Sequence, residues 1–126
     1  MKLRIKGDSL RLRLTRGEVE QLSEEGRVEE HVHFGRETEL IYRLRSVPSR
    51  ATLGAGFADG VIEIQVSEEA ARTWCTTDLV TLDHIQHQGT TQLKIVVEKD
   101  WACLAPREDE DESDNFRHPR DRSATP

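Results

Sequence analysis

The chain has 126 residues, of which 35% are hydrophobic and 33% are charged, and its formal net charge at pH 7 is −6. This length suits one domain with a real core beneath a heavily charged surface. The negative net charge disfavours general affinity for nucleic acid, and from the composition of residues 1–126 we expect neither a signal peptide nor a membrane-spanning segment. Two cysteines, Cys75 and Cys103, do not make a disulfide framework, so we expect a cytoplasmic protein.

The first 26 residues carry the clearest local signals. Apolar and cationic residues alternate over residues 1–6 and again over residues 10–14, with Gly7-Asp8-Ser9 between them. This alternation predicts a β-hairpin with its leucines facing inward. Thr15 and Glu18 have the spacing of a capping box, and Gly26 suits the position after a helix end. A helix is therefore predicted between Thr15 and Gly26.

The rest of the chain predicts more strands and a second helix. Ser67 begins this helix, and Trp74 lies on its apolar stripe. The further strands are predicted over residues 28–34, 38–45, 51–57, 61–66, 79–85 and 93–97. The pattern indicates an α+β fold, with a mainly antiparallel, barrel-like sheet of about eight strands and two short helices.

Two halves of the sequence, residues 1–50 and 51–98, share one order of elements. At a shift of 52 residues, Leu10–Thr15 corresponds to Ile62–Ser67, and Leu22 corresponds to Trp74. An internal ββαββ duplication with a pseudo-twofold axis accounts for this correspondence. Chance alignment of two amphipathic stretches is the alternative.

Residues 105–126 differ in composition from the domain predicted over residues 1–104. Glu108–Asp114 holds six carboxylates and no apolar residue. Such a run cannot offset the entropy of ordering, so an acidic, disordered tail is predicted.

Cations alternate along the predicted hairpin and recur on a later strand, where they are expected to lie near it. They could bind phosphate groups, a nucleic-acid backbone or an acidic peptide, or they could form a solvated face that discourages edge pairing. We hypothesise that the acidic tail docks on this face. The candidate binding residues are Lys2, Arg4, Lys6, Arg11, Arg13, Arg43 and Arg45.

Metal binding and catalysis have little support in the sequence. His31 and His33 share one strand face and are the two candidate metal ligands, but the ligand spacings of a complete zinc site are absent. No nucleophile, phosphate-binding or dinucleotide motif is present. The sequence therefore predicts no cofactor, no bound metal and no catalytic residue.

The runs Leu3–Thr15, Val97–Leu104 and Glu110–Phe116 resemble those of a family of small bacterial proteins without an assigned function. That resemblance implies that the acidic tail is a family feature, and it implies no activity. In outline, the strand–helix–strand units also resemble the swapped-hairpin barrels of AbrB-type transition-state regulators, which bind DNA as dimers. The acidic net charge of this chain departs from the pattern of those DNA-binding regulators.

The function predicted from these observations is binding without catalysis. The basic strand face would contact another protein or an anionic ligand, under regulation by the tail. The alternative is a regulator or enzyme that acts on a polyanion such as phosphate or nucleic acid.

Overall fold

The computed structural model describes residues 1–100, which form eight strands and two helices. The predicted tail, Cys103 and the docking of the tail lie outside the described residues. In chain order the elements are β1 (Lys2–Ile5), β2 (Ser9–Leu14), α1 (Arg16–Glu25), β3 (Arg27–His33), β4 (Glu39–Val47), β5 (Leu53–Ala58), β6 (Val61–Ser67), α2 (Glu68–Thr76), β7 (Thr81–Gln88) and β8 (Thr91–Lys99). The predicted α+β class, with eight strands and two helices, is confirmed.

The strands are divided between two four-stranded sheets. The first has the order β1-β2-β8-β7 and the second has the order β3-β4-β6-β5. Each sheet is built from two antiparallel hairpins joined at its centre by a parallel pair, β2 with β8 and β4 with β6. Four of the six pairings are thus antiparallel, and no closed barrel forms within residues 1–100.

Both helices begin as the sequence predicts. Thr15 accepts a hydrogen bond from the Glu18 backbone N–H at 3.3 Å, and the Thr15 N–H donates to the Glu18 carboxylate at 2.9 Å. Gly26 ends α1 in the left-handed region, with φ of 75°. Ser67 caps α2 by accepting from the Ala70 N–H at 3.1 Å. These caps place each helix directly after the inner strand of its hairpin.

The core lies between the sheets and beneath the helices. Trp74 is fully buried, and its indole N–H donates to the Val80 carbonyl at 2.9 Å. That carbonyl also accepts the Lys99 N–H at 3.0 Å, and β7 starts just after it, at Thr81 rather than at the predicted residue 79. The other fully buried large side chains are Leu12, Leu14, Leu44, Leu53, Ile64, Val66, Ile95 and Val97.

Two hydrogen-bonded contacts join the sheets at their edges. The Gln86 side chain of β7 bonds both backbone groups of Ala55 in β5, at 2.8 and 3.0 Å. The Met1 amino group, next to β1, pairs with Glu30 of β3 at 2.9 Å and also with Glu18. The Tyr42 hydroxyl donates to the Met1 carbonyl at 3.2 Å. No helix within residues 1–100 is both long and apolar enough to cross a membrane.

Candidate functional site

The β1–β2 basic face consists of Lys2, Arg4, Lys6, Arg11 and Arg13. The register of the hairpin places Lys2 opposite Arg13 and Arg4 opposite Arg11. Leucines alternate with these cations, and Leu12 and Leu14 point into the core. Since side chains alternate between the faces of a strand, burial of the leucines directs the cations outward. The hairpin therefore brings together five of the seven predicted binding residues.

A mostly buried carboxylate lies beneath this face. Glu98 of β8 is only 8% exposed, and one of its oxygens accepts from Arg13 Nε at 2.5 Å and from Arg11 Nη1 at 3.2 Å. Lys2 reaches Asp100 at 3.3 Å but remains largely exposed. These contacts orient the two guanidinium groups, because a charge-assisted hydrogen bond favours one direction. Sequence alternation identifies the cations but not Glu98, which is 85 residues from Arg13.

The surface around the guanidinium groups is concave. A cavity of about 260 Å³ is lined by four of the cations and by Leu3. Arg4 and Lys6 are exposed. A carboxylate or phosphate group entering here would meet several donors at once.

Arg43 and Arg45 lie on β4, in the second sheet, so the expectation that they lie near the hairpin cations is wrong. Their strand pairs with β3 and β6 rather than with β1 or β2. Glu63 of β6 accepts from Arg45 at 2.9 and 3.1 Å and from Arg43 at 3.3 Å. The Arg45 hydrogen bonds are the main reason that the pKa of Glu63 is lowered to about 2.

The histidine cluster, His31, His33 and Glu39, lies at the β3–β4 end of the second sheet. The register places His33 opposite Glu39, and His31 projects from the same face. Glu39 Oε2 is 3.2 Å from His31 Nδ1 and 3.1 Å from His33 Nε2. Glu29 Oε2 is 2.7 Å from the other ring nitrogen of His31. These contacts with Glu29 and Glu39 raise the pKa of His31.

Alternation in the sequence places Glu29 on the same strand face as the two histidines, but it does not identify Glu39. The spacing of the hairpin about Gly35 could have located Glu39, because residues facing each other across a short turn are fixed by its length.

Comparison with known proteins gives one match. The model of a family of unknown function, DUF7009, covers residues 1–120. The chain belongs to DUF7009. No curated protein and no solved structure matches it.

The DUF7009 match includes every residue of the β1–β2 basic face and of the histidine cluster, and it continues past the described residues. The resemblance to a family without an assigned function is therefore confirmed. The family description gives no activity, so the geometry of this DUF7009 chain is the basis for inferring its function.

A third feature of this DUF7009 chain is a cavity of about 520 Å³ between α1, α2 and the end of β8. Cys75 lines it, and the Cys75 thiol lies 3.7 Å from the Val19 carbonyl. Burial raises the pKa of the Cys75 thiol. Because the thiolate is the reactive form, this cysteine is poorly suited to act as a nucleophile.

Proposed function

We propose that the chain is a non-catalytic binding module whose β1–β2 basic face binds an acidic segment of a protein partner. The observation that carries the proposal is the register of the hairpin, which sets four cations around one concavity, with Lys6 just beyond the end of β1. Within residues 1–100, Glu98 pairs with Arg11 and Arg13, and Asp100 pairs with Lys2.

An acidic peptide fits this face better than nucleic acid does. A carboxylate side chain can enter the concavity beside the oriented arginines. Lys2 and Arg4 on the edge strand β1, and Lys6 just after it, provide a row of exposed charge. The protein as a whole carries a net charge of −6, which would repel a long polyanion that extends beyond the face. A short acidic segment avoids most of this repulsion.

The test is a titration of the full chain with a fluorescein-labelled peptide of ten glutamates, followed by fluorescence anisotropy. The variant Lys2→Gln, Arg4→Gln, Lys6→Gln removes three exposed cations. Each exposed ion pair is worth about 0.5 kcal/mol, so we expect affinity to fall about tenfold and to depend less on salt.

The matched control is Arg36→Gln, Arg50→Gln, Arg72→Gln, which changes the net charge equally at exposed positions outside the face. It should retain the affinity of the unsubstituted chain. Equal losses in both triple variants, or no binding by the unsubstituted chain, would overturn the proposal. Tighter binding of a labelled DNA oligonucleotide through the same three residues would favour the polyanion alternative.

The acidic tail would compete with the partner for this face. Glu108–Asp114 lies outside the described residues, and the proposal for it rests on its six carboxylates and on the cations of β1 and β2. Replacing those carboxylates with their amides should increase affinity for the glutamate peptide, because an attached competitor acts at high effective concentration. Unchanged affinity would show that the tail does not compete for the β1–β2 basic face, and the proposal that this face binds an acidic partner segment would then stand without the tail.

Two further proposals concern origin and location. We infer that residues 1–50 and 51–98 derive from one duplicated ββαββ unit, which is supported by helix caps at Thr15 and Ser67 and by a central parallel pair in each sheet. We also infer a cytoplasmic, bacterial protein. The free thiol of Cys75 supports a reducing compartment.

A further inference from the structure

The histidine cluster has the ligand types of a transition-metal site. Two imidazoles and one carboxylate are ligands that zinc, nickel and copper accept, whereas magnesium and calcium prefer oxygen alone. One ligand atom from each of His31, His33 and Glu39 lies within 4.8 Å of the other two. The three residues come from two neighbouring strands, so the sheet itself holds them together.

The distances suit one ion between these groups. Two ligands about 2.1 Å from a tetrahedral ion are about 3.4 Å apart. Glu39 Oε2 is 3.2 Å from His31 Nδ1 and 3.1 Å from His33 Nε2. The two rings are stacked, with centroids 6.2 Å apart. A small rotation of exposed side chains would bring the two ring nitrogens to the same spacing.

A fourth residue orients the first ligand. His31 Nε2 is 2.7 Å from Glu29, so a ring that coordinates through Nδ1 can donate its remaining N–H to that carboxylate. Glu29 is itself held by Arg43 at 3.2 Å and by Arg27 at 3.3 Å. Metal-bound histidines commonly make such a bond to a carboxylate, which fixes the tautomer and the direction of the ring.

The cluster is open to solvent. The His33 side chain is 70% exposed, and those of His31 and Glu39 are 38% and 37% exposed. An ion can therefore reach the site without any movement of the backbone. A three-ligand set leaves a coordination position for water or for a group from another molecule.

We propose that His31, His33 and Glu39 bind a divalent transition-metal ion such as Zn²⁺, with Glu29 as a positioning residue. The site lies on the second sheet, away from the strands of the β1–β2 basic face, and the proposal is independent of the one above.

The test is calorimetric titration of the full chain, stripped with a chelator, with zinc chloride alone at pH 7.5. We expect one ion per chain bound through the cluster. In His31→Gln, His33→Gln this binding should be lost. The matched control is His84→Gln, His87→Gln, which removes two histidines from β7 of the first sheet and should bind as the unsubstituted chain does.

The variant Glu29→Gln tests whether Glu29 orients the His31 ring or acts only through its negative charge. We expect it to keep the stoichiometry of one and to weaken zinc affinity about tenfold, because the amide orients the ring less well than the carboxylate. Glu24→Gln, at an exposed position on α1, makes the same charge change and should leave affinity unchanged.

Cobalt(II) gives a second readout. Its absorption in the visible range should change when it binds the full chain, and the change should be absent in His31→Gln, His33→Gln. Thermal melts without metal should show that these surface variants fold normally. The proposal is overturned if the full chain binds no zinc, or if it binds zinc equally well without the two histidines.

Discussion

At the scale of single residues, each sheet has one carboxylate that forms ion pairs with two arginines. Glu98 forms ion pairs with Arg11 and Arg13 in the first sheet, and Glu63 forms ion pairs with Arg43 and Arg45 in the second. In both cases the carboxylate and the arginines lie on the two strands of the central parallel pair. The ion pairs therefore form only when strands distant in sequence have come together, and they favour the correct pairing of the sheet.

Glu63 should make the free energy of unfolding depend on pH in the acidic range. Its pKa is lowered from 4.5 to about 2, so its stabilising contribution is complete above pH 4.5 and is lost as the pH falls towards 2. At neutral pH this contribution is on the order of 2 kcal/mol after allowance for partial exposure. Glu63→Gln should lower the free energy of unfolding by that amount at pH 7 and by much less at pH 2.5.

Urea denaturation at several pH values measures this difference, with Glu20→Gln as the control because its side chain is 69% exposed. The control should remain within about 0.5 kcal/mol of the unsubstituted chain at pH 7. Parallel stability curves for the unsubstituted chain and Glu63→Gln would show that Glu63 titrates normally and that its ion pairs contribute nothing.

At the scale of the elements, local chemistry determines what the sequence can predict. The helix from Thr15 to Gly26 could be predicted because its caps are formed by residues near in sequence. The inward positions Leu12 and Ile64 followed from alternation, and both are buried. Strand ends were predicted less well: β4 continues to Val47, beyond the predicted end at residue 45, because its parallel partner β6 supplies hydrogen bonds there that only the folded chain reveals.

The division into two sheets could not be predicted from local patterns. Alternation identifies a strand but not its neighbour, and β2 pairs with β8 across some 85 residues of sequence. The same limit applies to the candidate sites. The cations and the histidines could be named from the sequence, and alternation places Glu29 on the face of His31, whereas Glu98 beneath the basic face and Glu39 beside the histidines required the sheet registers.

At the scale of the whole molecule, the two sheets are joined where β7 meets β5. The Gln86 side chain bonds the N–H and the carbonyl of Ala55, and thus takes the place of a neighbouring strand. Because β5 and β7 are the edge strands of different sheets, this contact satisfies edge groups that would otherwise need water.

Loss of that contact should loosen the junction between the sheets. Gln86→Ala removes two hydrogen bonds worth about 1 kcal/mol each, so we expect the free energy of unfolding to fall by about 2 kcal/mol. Hydrogen exchange adds a local readout: the Ala55 amide should exchange slowly in the unsubstituted chain and much faster in Gln86→Ala. Gln88→Ala, at an exposed position on the same strand, should change neither. If the Ala55 amide stayed equally protected in all three proteins, Gln86 would have no part in holding the sheets together.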